Sequence, residues 1–280
     1  MKYESTARLS LEAINDLIAE NRVFDITIQD PNNYPEGKTY DIFALLSVKR
    51  AIIKFLEGCP YRDPSNPNTE KEIFAYIYTK LAYWATYDEL ASEVIDYKPE
   101  FKALYAADYL KSASGLEGVM VGRNGVCSSF AESLRNLLAE RGIEAKYVTG
   151  WTKGENGENN RAGHAWNQVK LDGEWYNCDI TCDRKFILEG LVAPKFLKSN
   201  ADFSNYYRYP SGRNVTIEKA TKSISSQGQG YLIGKFQSQI VGELFPKEDE
   251  KKKRRKGFVK SISEKLKARK GSERGENWYG

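Results

Sequence analysis

Three side chains between Gly122 and Asp183 are of the types that perform nucleophilic catalysis together. Cys127 offers a thiol, His164 is the only histidine of the chain, and Asp179 offers a carboxylate. An imidazole that takes the thiol proton turns the thiol into a strong nucleophile, and a carboxylate can hold that imidazole in the required tautomer and orientation. These residues therefore predict a Cys-His-Asp triad.

A helix is expected to position Cys127. From Phe130 to Leu138 the apolar residues recur at helical spacing, and Gly142 then follows as a stop signal. Cys127 thus stands at or near the N-terminus of this helix, where unsatisfied backbone N–H groups and the positive end of the helix dipole stabilise an anion. This position favours the reactive thiolate.

A β-hairpin is expected to carry the histidine and the aspartate. Two runs rich in aromatic and β-branched residues, 163–171 and 174–181, flank Asp172 and Gly173. An Asp-Gly pair between such strands is typical of a two-residue type I′ turn. That turn fixes the register of the hairpin, because Leu171 then pairs with Glu174 and each earlier residue pairs with the next later one.

In this register Asp179 lies opposite Trp166 and diagonal to His164, with backbones roughly 7 Å apart, so the carboxylate reaches the imidazole. Since side chains alternate between faces, these three residues and Asn177 share one face of the hairpin. Trp166 is therefore a further candidate to line the site. The opposite face is mostly apolar and is expected to be the core face.

The order of these motifs resembles the transglutaminase-like superfamily. The runs GVC, YVTG, HAWN and DIT, with the helix and the hairpin between them, follow one another as in that family. The resemblance implies an α+β, papain-like fold, in which the catalytic cysteine begins a helix packed on an antiparallel sheet that carries the histidine and the aspartate. It implies Cys127 as nucleophile, His164 as general base and acid, and Asp179 as the orienting carboxylate. Cys182 departs from the family pattern, since many members have tryptophan there.

The resemblance extends to residues 73–88, IFAYIYTKLAYWATYD, which are similar to a helix of the family that ends in an aromatic-Asp pair. It implies that Trp84 and Tyr87 line the site or bind an oxyanion, although packing alone would also explain both. The tyrosines within residues 206–209 either rim the cleft or fill it.

The predicted chemistry is attack on an amide bond of a protein or peptide substrate, with a thioester intermediate that passes to an amine or to water. A cysteine peptidase or a deamidase of the same fold is an alternative. A peptide N-glycanase-like amidase usually has paired CxxC motifs, which this chain lacks. A non-catalytic protein-binding module is the third alternative. No metal or other cofactor is expected, because Cys178 and Cys182 with one histidine make a poor zinc set.

The composition bounds the class of protein. A chain of 280 residues that is 41% hydrophobic can bury a sizeable core. The polar start has no signal-peptide core, and no apolar run approaches the ~18 residues of a membrane helix. Four scattered cysteines do not form a disulfide framework, so a reducing, cytoplasmic location is expected.

Three regions are predicted. Residues 1–65 form a mainly helical region packed on the core, with helices at Leu9–Glu20 and Asp41–Glu57. Residues 66–245 form the catalytic domain, and residues 246–280 form a basic tail that is partly an amphipathic helix or disordered.

The tail concentrates the positive charge of the chain. Residues 247–276 contain 13 Lys or Arg against 6 Asp or Glu. The segment 247–270 is expected to bind an acidic partner, an anionic membrane surface or nucleic acid, unless it is simply a solvated charged tail.

Overall fold

The computed structural model describes residues 8–10, 39–63, 65–96, 107–153, 159–209 and 216–246. The chain divides into two compact units after Gln237. The first unit contains the sheet and the helices around it. In the second unit, residues 238–246 are described, and they include the end of the last helix.

The described helices and strands are interspersed along the chain. The helices are α1 (Ile42–Leu56), α2 (Thr69–Trp84), α3 (Glu89–Asp96), α4 (Ala107–Ser114), α5 (Cys127–Ala139), α6 (Ile180–Leu188), α7 (Asn200–Ser204) and α8 (Ser226–Leu244), with a π-helical turn at Gly118–Gly122. The strands are β1 (Arg8–Ser10), β2 (Thr39–Asp41), β3 (Thr86–Tyr87), β4 (Asn124–Gly125), β5 (Ala145–Lys153), β6 (Asn159–Leu171), β7 (Glu174–Cys178) and β8 (Tyr207–Arg208).

The central sheet is antiparallel, with the strand order β7-β6-β5-β8. Its β6-β7 hairpin has the predicted register, from Leu171 opposite Glu174 to Asn167 opposite Cys178. Asp172 and Gly173 have φ angles of 52° and 83°, and a type I′ turn requires positive φ at both positions. The predicted turn and register are therefore confirmed.

The second strand of the hairpin is shorter than predicted. It ends at Cys178 instead of Thr181, and Asp179 is the N-cap of α6. Its side chain accepts hydrogen bonds from the backbone N–H groups of Thr181 and Cys182. Because a capping carboxylate satisfies donors that a helix start leaves free, the chain leaves the sheet here and turns into a helix.

Both faces of the sheet are buried, whereas the sequence predicted one core face. On one face, the Asn167 amide donates to the Ala131 carbonyl of α5, at 2.9 Å. On the other face, Trp166 is 1% exposed and belongs to a buried cluster with Phe203 and Tyr207. The chain after α6 folds back to form this cluster, and β8 then pairs with the edge of β5.

Helix α2 is almost wholly buried and connects the sheet layer to α6. Its Phe74 and Ile77 are fully buried, and burial of such a side chain contributes roughly 1.5–3 kcal/mol. The Tyr78 hydroxyl donates to Asp183 of α6 at 2.8 Å, and Tyr76 packs edge-on against Phe236 of α8. Helix α2 therefore fixes α6, which begins next to Asp179.

The N-terminal predictions are only partly testable in the described residues. Helix α1 spans Ile42–Leu56, close to the prediction, and Gly58 follows with a φ of 79°. Leu9 and Ser10 lie in a strand paired with β2, so the helix predicted at Leu9–Glu20 is wrong at its start, and its remainder lies outside the described residues.

The basic segment 247–270 also lies outside the described residues, and the three region boundaries stay predictions. Within the part of the chain that is described, every helix is too short or too polar to cross a membrane.

Gly150 provides a test of how tightly the sheet packs beneath His164. It lies directly opposite His164 in the β5-β6 pair, and a Cβ atom there would collide with the Arg208 carbonyl and the Trp166 ring. We expect Gly150→Ala to lower the free energy of unfolding by about 2–3 kcal/mol in chemical denaturation, because backbone cannot move aside cheaply.

Gly163→Ala is the matched control. A Cβ atom at Gly163 meets nothing within 4 Å among the described residues, so this variant should unfold close to wild type. Equal stability of the two variants would contradict the proposed close approach at Gly150.

Candidate active site

Cys127 is the first residue of α5, as predicted. Its N-cap is Val126, whose side chain makes no capping hydrogen bond. The first backbone N–H groups of any helix lack partners within the helix, and here no side chain of the N-cap covers them. The thiol is partly exposed and borders a cavity together with His164. Cys127 thus meets an uncapped, electropositive helix end.

Buried hydrogen bonds hold the turn before Cys127. The Ser129 hydroxyl donates to the Gly115 carbonyl and accepts from the Val119 N–H at 3.0 Å. The Val126 N–H donates to the Ala113 carbonyl at 2.9 Å. These bonds tie the start of α5 to the end of α4 and to the π-helical turn.

Asp88 anchors the same turn from the other side. It is 4% exposed, and its carboxylate accepts from the Asn124 amide and the Tyr109 hydroxyl, both at 2.6 Å. Its other oxygen accepts from the Ala91 N–H at 2.9 Å, at the start of α3. The sequence drew attention to the aromatic-Asp pair at this place but did not assign a role to Asp88, which the structure makes a positioning residue.

The structure brings Cys127, His164 and Asp179 together. His164 Nε2 lies 2.7 Å from Asp179 Oδ2. Cys127 and the same imidazole line one cavity, and Cys127 contributes to the raised pKa of His164. Since Nε2 faces the carboxylate, Nδ1 is the ring nitrogen left to exchange a proton with the thiol. This is the arrangement that nucleophilic catalysis by a thiol requires.

Asp179 is a buried charge with a full set of donors. Its Oδ1 accepts from the Thr181 N–H at 3.0 Å, from the Thr181 hydroxyl and from the Cys182 N–H at 3.3 Å. Its Oδ2 accepts from His164 and from the Tyr207 hydroxyl. Burial alone would raise the pKa of this carboxyl, but the facing His164 charge and these hydrogen bonds outweigh burial and hold the pKa below its usual value.

The pKa of His164 is shifted in the opposite direction to that of Asp179. Burial alone would lower its pKa, but the Asp179 charge and hydrogen bonds with Asp179, Cys127 and Cys182 raise the pKa well above 6.5. The Asp179 carboxylate thus stabilises the imidazolium form of His164, which is the form that arises when the imidazole takes a proton from a thiol.

Tyr207 is the site residue whose role the sequence did not indicate. Its hydroxyl donates to the same Asp179 oxygen as His164, and its ring stacks on His164 with centroids 5.7 Å apart and planes 17° apart. Phe203 stacks on its other side at 4.2 Å. The sequence showed a cluster of tyrosines at 206–209, but no spacing relates a residue here to one near 179. Only the pairing of β8 with β5 brings them together.

The three aromatic residues that the sequence suggested for the site, Trp84, Tyr87 and Trp166, have different positions. Trp84 is buried and lines neither described cavity; its indole N–H points at the Met120 carbonyl at 3.4 Å, and Arg123 stacks on its ring. The expectation that Trp84 lines the site stays a prediction, and the contacts of its indole N–H and of its ring with Arg123 are packing contacts.

Tyr87 and Trp166 lie nearer to the triad. Tyr87 borders a second cavity with His164, and its hydroxyl donates to Ser92 at 3.1 Å. Trp166 stacks behind His164, with centroids 6.3 Å apart, but it is 1% exposed. Trp166 therefore supports the imidazole from the buried side and does not face the cleft.

Cys182 brings a second thiol to the site. Its sulfur lies 3.2 Å from the Tyr207 hydroxyl oxygen. Burial raises the pKa of the Cys182 thiol, and the nearby Asp179 charge raises it further. His164, Asp179 and Cys182 each offer one atom that could bind a metal ion, and these three atoms lie within 4.8 Å of one another. However, both Asp179 oxygens already accept hydrogen bonds and Cys182 favours its neutral form, so this donor set fits a hydrogen-bonded network better than a cation.

Two cavities meet at His164. One, of about 290 Å³, also contains Cys127, and the other, of about 470 Å³, also contains Cys182. The imidazole is 12% exposed between them. A substrate in the first cavity would contact the thiol and the imidazole at once.

Comparison with known proteins agrees with this geometry. An α+β fold that places a cysteine at a helix start, against an antiparallel sheet with histidine and aspartate, is papain-like. The family model of the transglutaminase-like superfamily matches residues 62–180, and this part of the chain is a transglutaminase-like core. The matched segment includes all three triad candidates and ends before Tyr207.

Two solved structures are similar to the chain. One is a TGase, at 18% identity and a TM-score of 0.36, over 61% of this chain and 38% of that one. The other is a protein of Cytophaga hutchinsonii described as a candidate cysteine protease, at 19% identity and a TM-score of 0.31, over 49% of this chain and 37% of that one. The chain thus spans well under half of either protein. A search of curated proteins found no match.

The pKa of His164 can be measured directly because the chain has one histidine. We expect the His164 Cε1–H resonance to titrate well above 6.5 in NMR spectra, and the midpoint to fall by about one pH unit or more in Asp179→Asn, which removes the charge.

The raised pKa of His164 also sets how the free energy of unfolding changes with pH. Since the pKa of His164 is raised on folding, its stabilising contribution is complete below the unfolded pKa of about 6.5 and is lost as the pH rises through the folded pKa. A wild-type midpoint at or below 6.5 would contradict the ion pair with Asp179.

The role of the Tyr207 hydroxyl can be separated from its packing. We expect Tyr207→Phe to lower the free energy of unfolding by about 1.5–3 kcal/mol, because a buried charge loses a donor. The NMR midpoint of His164 should also rise, because Asp179 then attracts the imidazolium proton more strongly.

Tyr209→Phe is the matched control for Tyr207→Phe. The Tyr209 hydroxyl donates to Asn177 at 3.0 Å and its ring packs on Trp166, so it shares the surroundings but not the carboxylate. This variant should leave the His164 midpoint unchanged. The same midpoint in both variants would show that Tyr207 only packs.

Proposed function

We propose that this protein is a transglutaminase-like cysteine enzyme that acts on amide bonds of protein or peptide substrates. The observation that carries the proposal is the 2.7 Å contact between His164 and Asp179 beside a thiol at a helix N-terminus. A binding module with no catalytic demand has no need to keep a buried, ionised carboxylate behind a solvent-accessible imidazole.

The first half-reaction follows from this geometry. His164 takes the proton of Cys127, and the thiolate attacks the carbonyl carbon of the amide. The carbon–nitrogen bond then breaks, and His164 returns the proton to the departing ammonia or amine. A thioester remains on Cys127, and Asp179 keeps the imidazole oriented through both proton transfers.

The backbone N–H of Cys127 supplies a donor for the oxyanion that forms during attack. It lies at the uncapped start of α5, where donors and the helix dipole point toward negative charge. Removal of one such donor in an enzyme of this kind costs on the order of a hundredfold or more in rate.

The second half-reaction decides the type of enzyme. An amine that attacks the thioester gives acyl transfer, whereas water gives deamidation of a side chain or hydrolysis of a peptide bond. In either case His164 takes a proton from the attacking group, and the carbon–sulfur bond breaks to restore the Cys127 thiol. Transglutaminase, cysteine peptidase and deamidase reactions would therefore all use the same three residues and differ in the group that attacks the thioester.

The surroundings of the enzyme are a further part of the proposal. We assign it to a reducing, cytoplasmic compartment, which would keep Cys127 as a thiol; the four cysteines form no disulfide in the structure. The basic segment 247–270 would bind an acidic partner, an anionic membrane surface or nucleic acid.

Intact-mass analysis tests the activity. Wild type and Cys127→Ala are incubated with a glutamine-containing protein and a labelled primary amine. We expect turnover by wild type and a loss of at least about a thousandfold in the variant, because nothing replaces the nucleophile. Incorporated amine identifies transfer, fragments identify peptide hydrolysis, and exchange of amide for acid identifies deamidation.

Cys59→Ala is the control, since Cys59 is a buried thiol outside both cavities at the site. It should retain wild-type turnover. A result that is the same for wild type and Cys127→Ala, across several substrates, would exclude the proposed nucleophile.

A further inference from the structure

The cavity that contains Cys127 exposes mainly apolar surface. We call it the acyl pocket; its walls are formed by Ile95, Val126, Tyr147, Trp151 and Ala165, and its reactive end is formed by Cys127 and His164. Its volume of about 290 Å³ is at the lower end for ligand sites, which run from roughly 300 to 1,000 Å³. The acyl pocket therefore suits a single side chain or a short segment, not a folded surface.

The described lining of the acyl pocket contains no Asp, Glu, Lys or Arg side chain. Most of its hydroxyl groups are engaged within the protein. Ser114 donates to the Leu110 carbonyl and Ser128 donates to the Ser114 carbonyl, at 2.8 and 2.7 Å. Ser92 accepts from the Tyr87 hydroxyl. A substrate in this pocket therefore meets mainly apolar surface.

Charged side chains do border the second cavity at His164. The lack of Asp, Glu, Lys and Arg is therefore a feature of the described lining of the acyl pocket and not of the whole site. The second cavity is bordered by Glu89, Arg184, Lys185 and Glu189. Away from its reactive end at Cys127 and His164, a charged substrate group would lose its hydration in the acyl pocket and meet no counter-charge from the described walls, at a cost of several kcal/mol.

We propose that the acyl pocket selects acyl substrates whose group next to the reacting carbonyl is apolar and uncharged, with Trp151 as the specificity-determining residue at its mouth. Trp151 is 36% exposed and borders the pocket, so its ring can cover a bound apolar group. This inference rests on the proposed function, because it assumes that Cys127 is the reacting group.

Alkylation of Cys127 tests the pocket without any turnover. The thiolate attacks the methylene carbon of an iodoacetamide, a carbon–sulfur bond forms, and iodide leaves. Three probes share this electrophile and differ at the far end of one ring: N-benzyl, N-(4-carboxybenzyl) and N-(4-aminomethylbenzyl) iodoacetamide. Peptide mass spectrometry identifies adducts on Cys127, and rates are divided by those with glutathione.

We expect the N-benzyl probe to react with Cys127 about tenfold faster, or more, than either charged probe. Only the neutral ring can bury its apolar surface without also burying an unpaired charge. Trp151→Ala should reduce this preference by about fivefold or more, because part of the apolar wall is lost. Trp175→Ala is the matched control; Trp175 lies on β7 outside the lining, and this variant should keep the preference.

The outcomes separate the two proposals. Equal normalised rates for the three probes at a reactive Cys127 would overturn the pocket inference and leave the proposed nucleophile standing. Absence of Cys127 adducts with every probe, in a folded protein, would overturn the proposed function instead. A preference that survives Trp151→Ala unchanged would exclude Trp151 as the selecting residue.

Discussion

The buried negative charge of Asp179 is the constraint on which the site depends. A carboxylate that is 1% exposed is stable only if donors replace the water that it has lost. Those donors come from three separate parts of the chain: the hairpin supplies His164, the start of α6 supplies Thr181 and Cys182, and β8 supplies Tyr207. Because one carboxylate needs all of them, the sheet, the helix and the returning segment must take their places together.

The same network gives the imidazole its orientation. His164 is held between the carboxylate at Nε2 and the ring of Tyr207, and Gly150 on the neighbouring strand leaves room for the Trp166 ring beneath. Cys127 reaches this imidazole from an independent direction, on a helix whose start is anchored through Asp88 and Asn124. The proposed nucleophile and the proposed base therefore lie on different elements that pack against each other, which is how a rigid site is preorganised.

A shared core does not fix the reaction. The transglutaminase-like match ends at Ile180, and the two similar solved structures are mostly unmatched by this chain. Two cavities lie around the candidate residues: the apolar pocket beside Cys127 and the charged cavity beside Cys182. Because one fold serves many functions, the reaction and the substrate have to be argued from the residues that line these cavities.

The sequence by itself determined the features that local patterns encode. The Asp-Gly turn set the hairpin register, helical spacing placed Cys127 at the start of α5, and motif order identified the family. Tertiary structure alone decided that Asp179 caps a helix, that the Trp84 indole N–H meets the Met120 carbonyl, and that Tyr207 completes the carboxylate's donors. The reason is physical: turns and periodicity act between neighbours in the chain, whereas burial of a charge is satisfied by whichever distant segment the packed core brings to it.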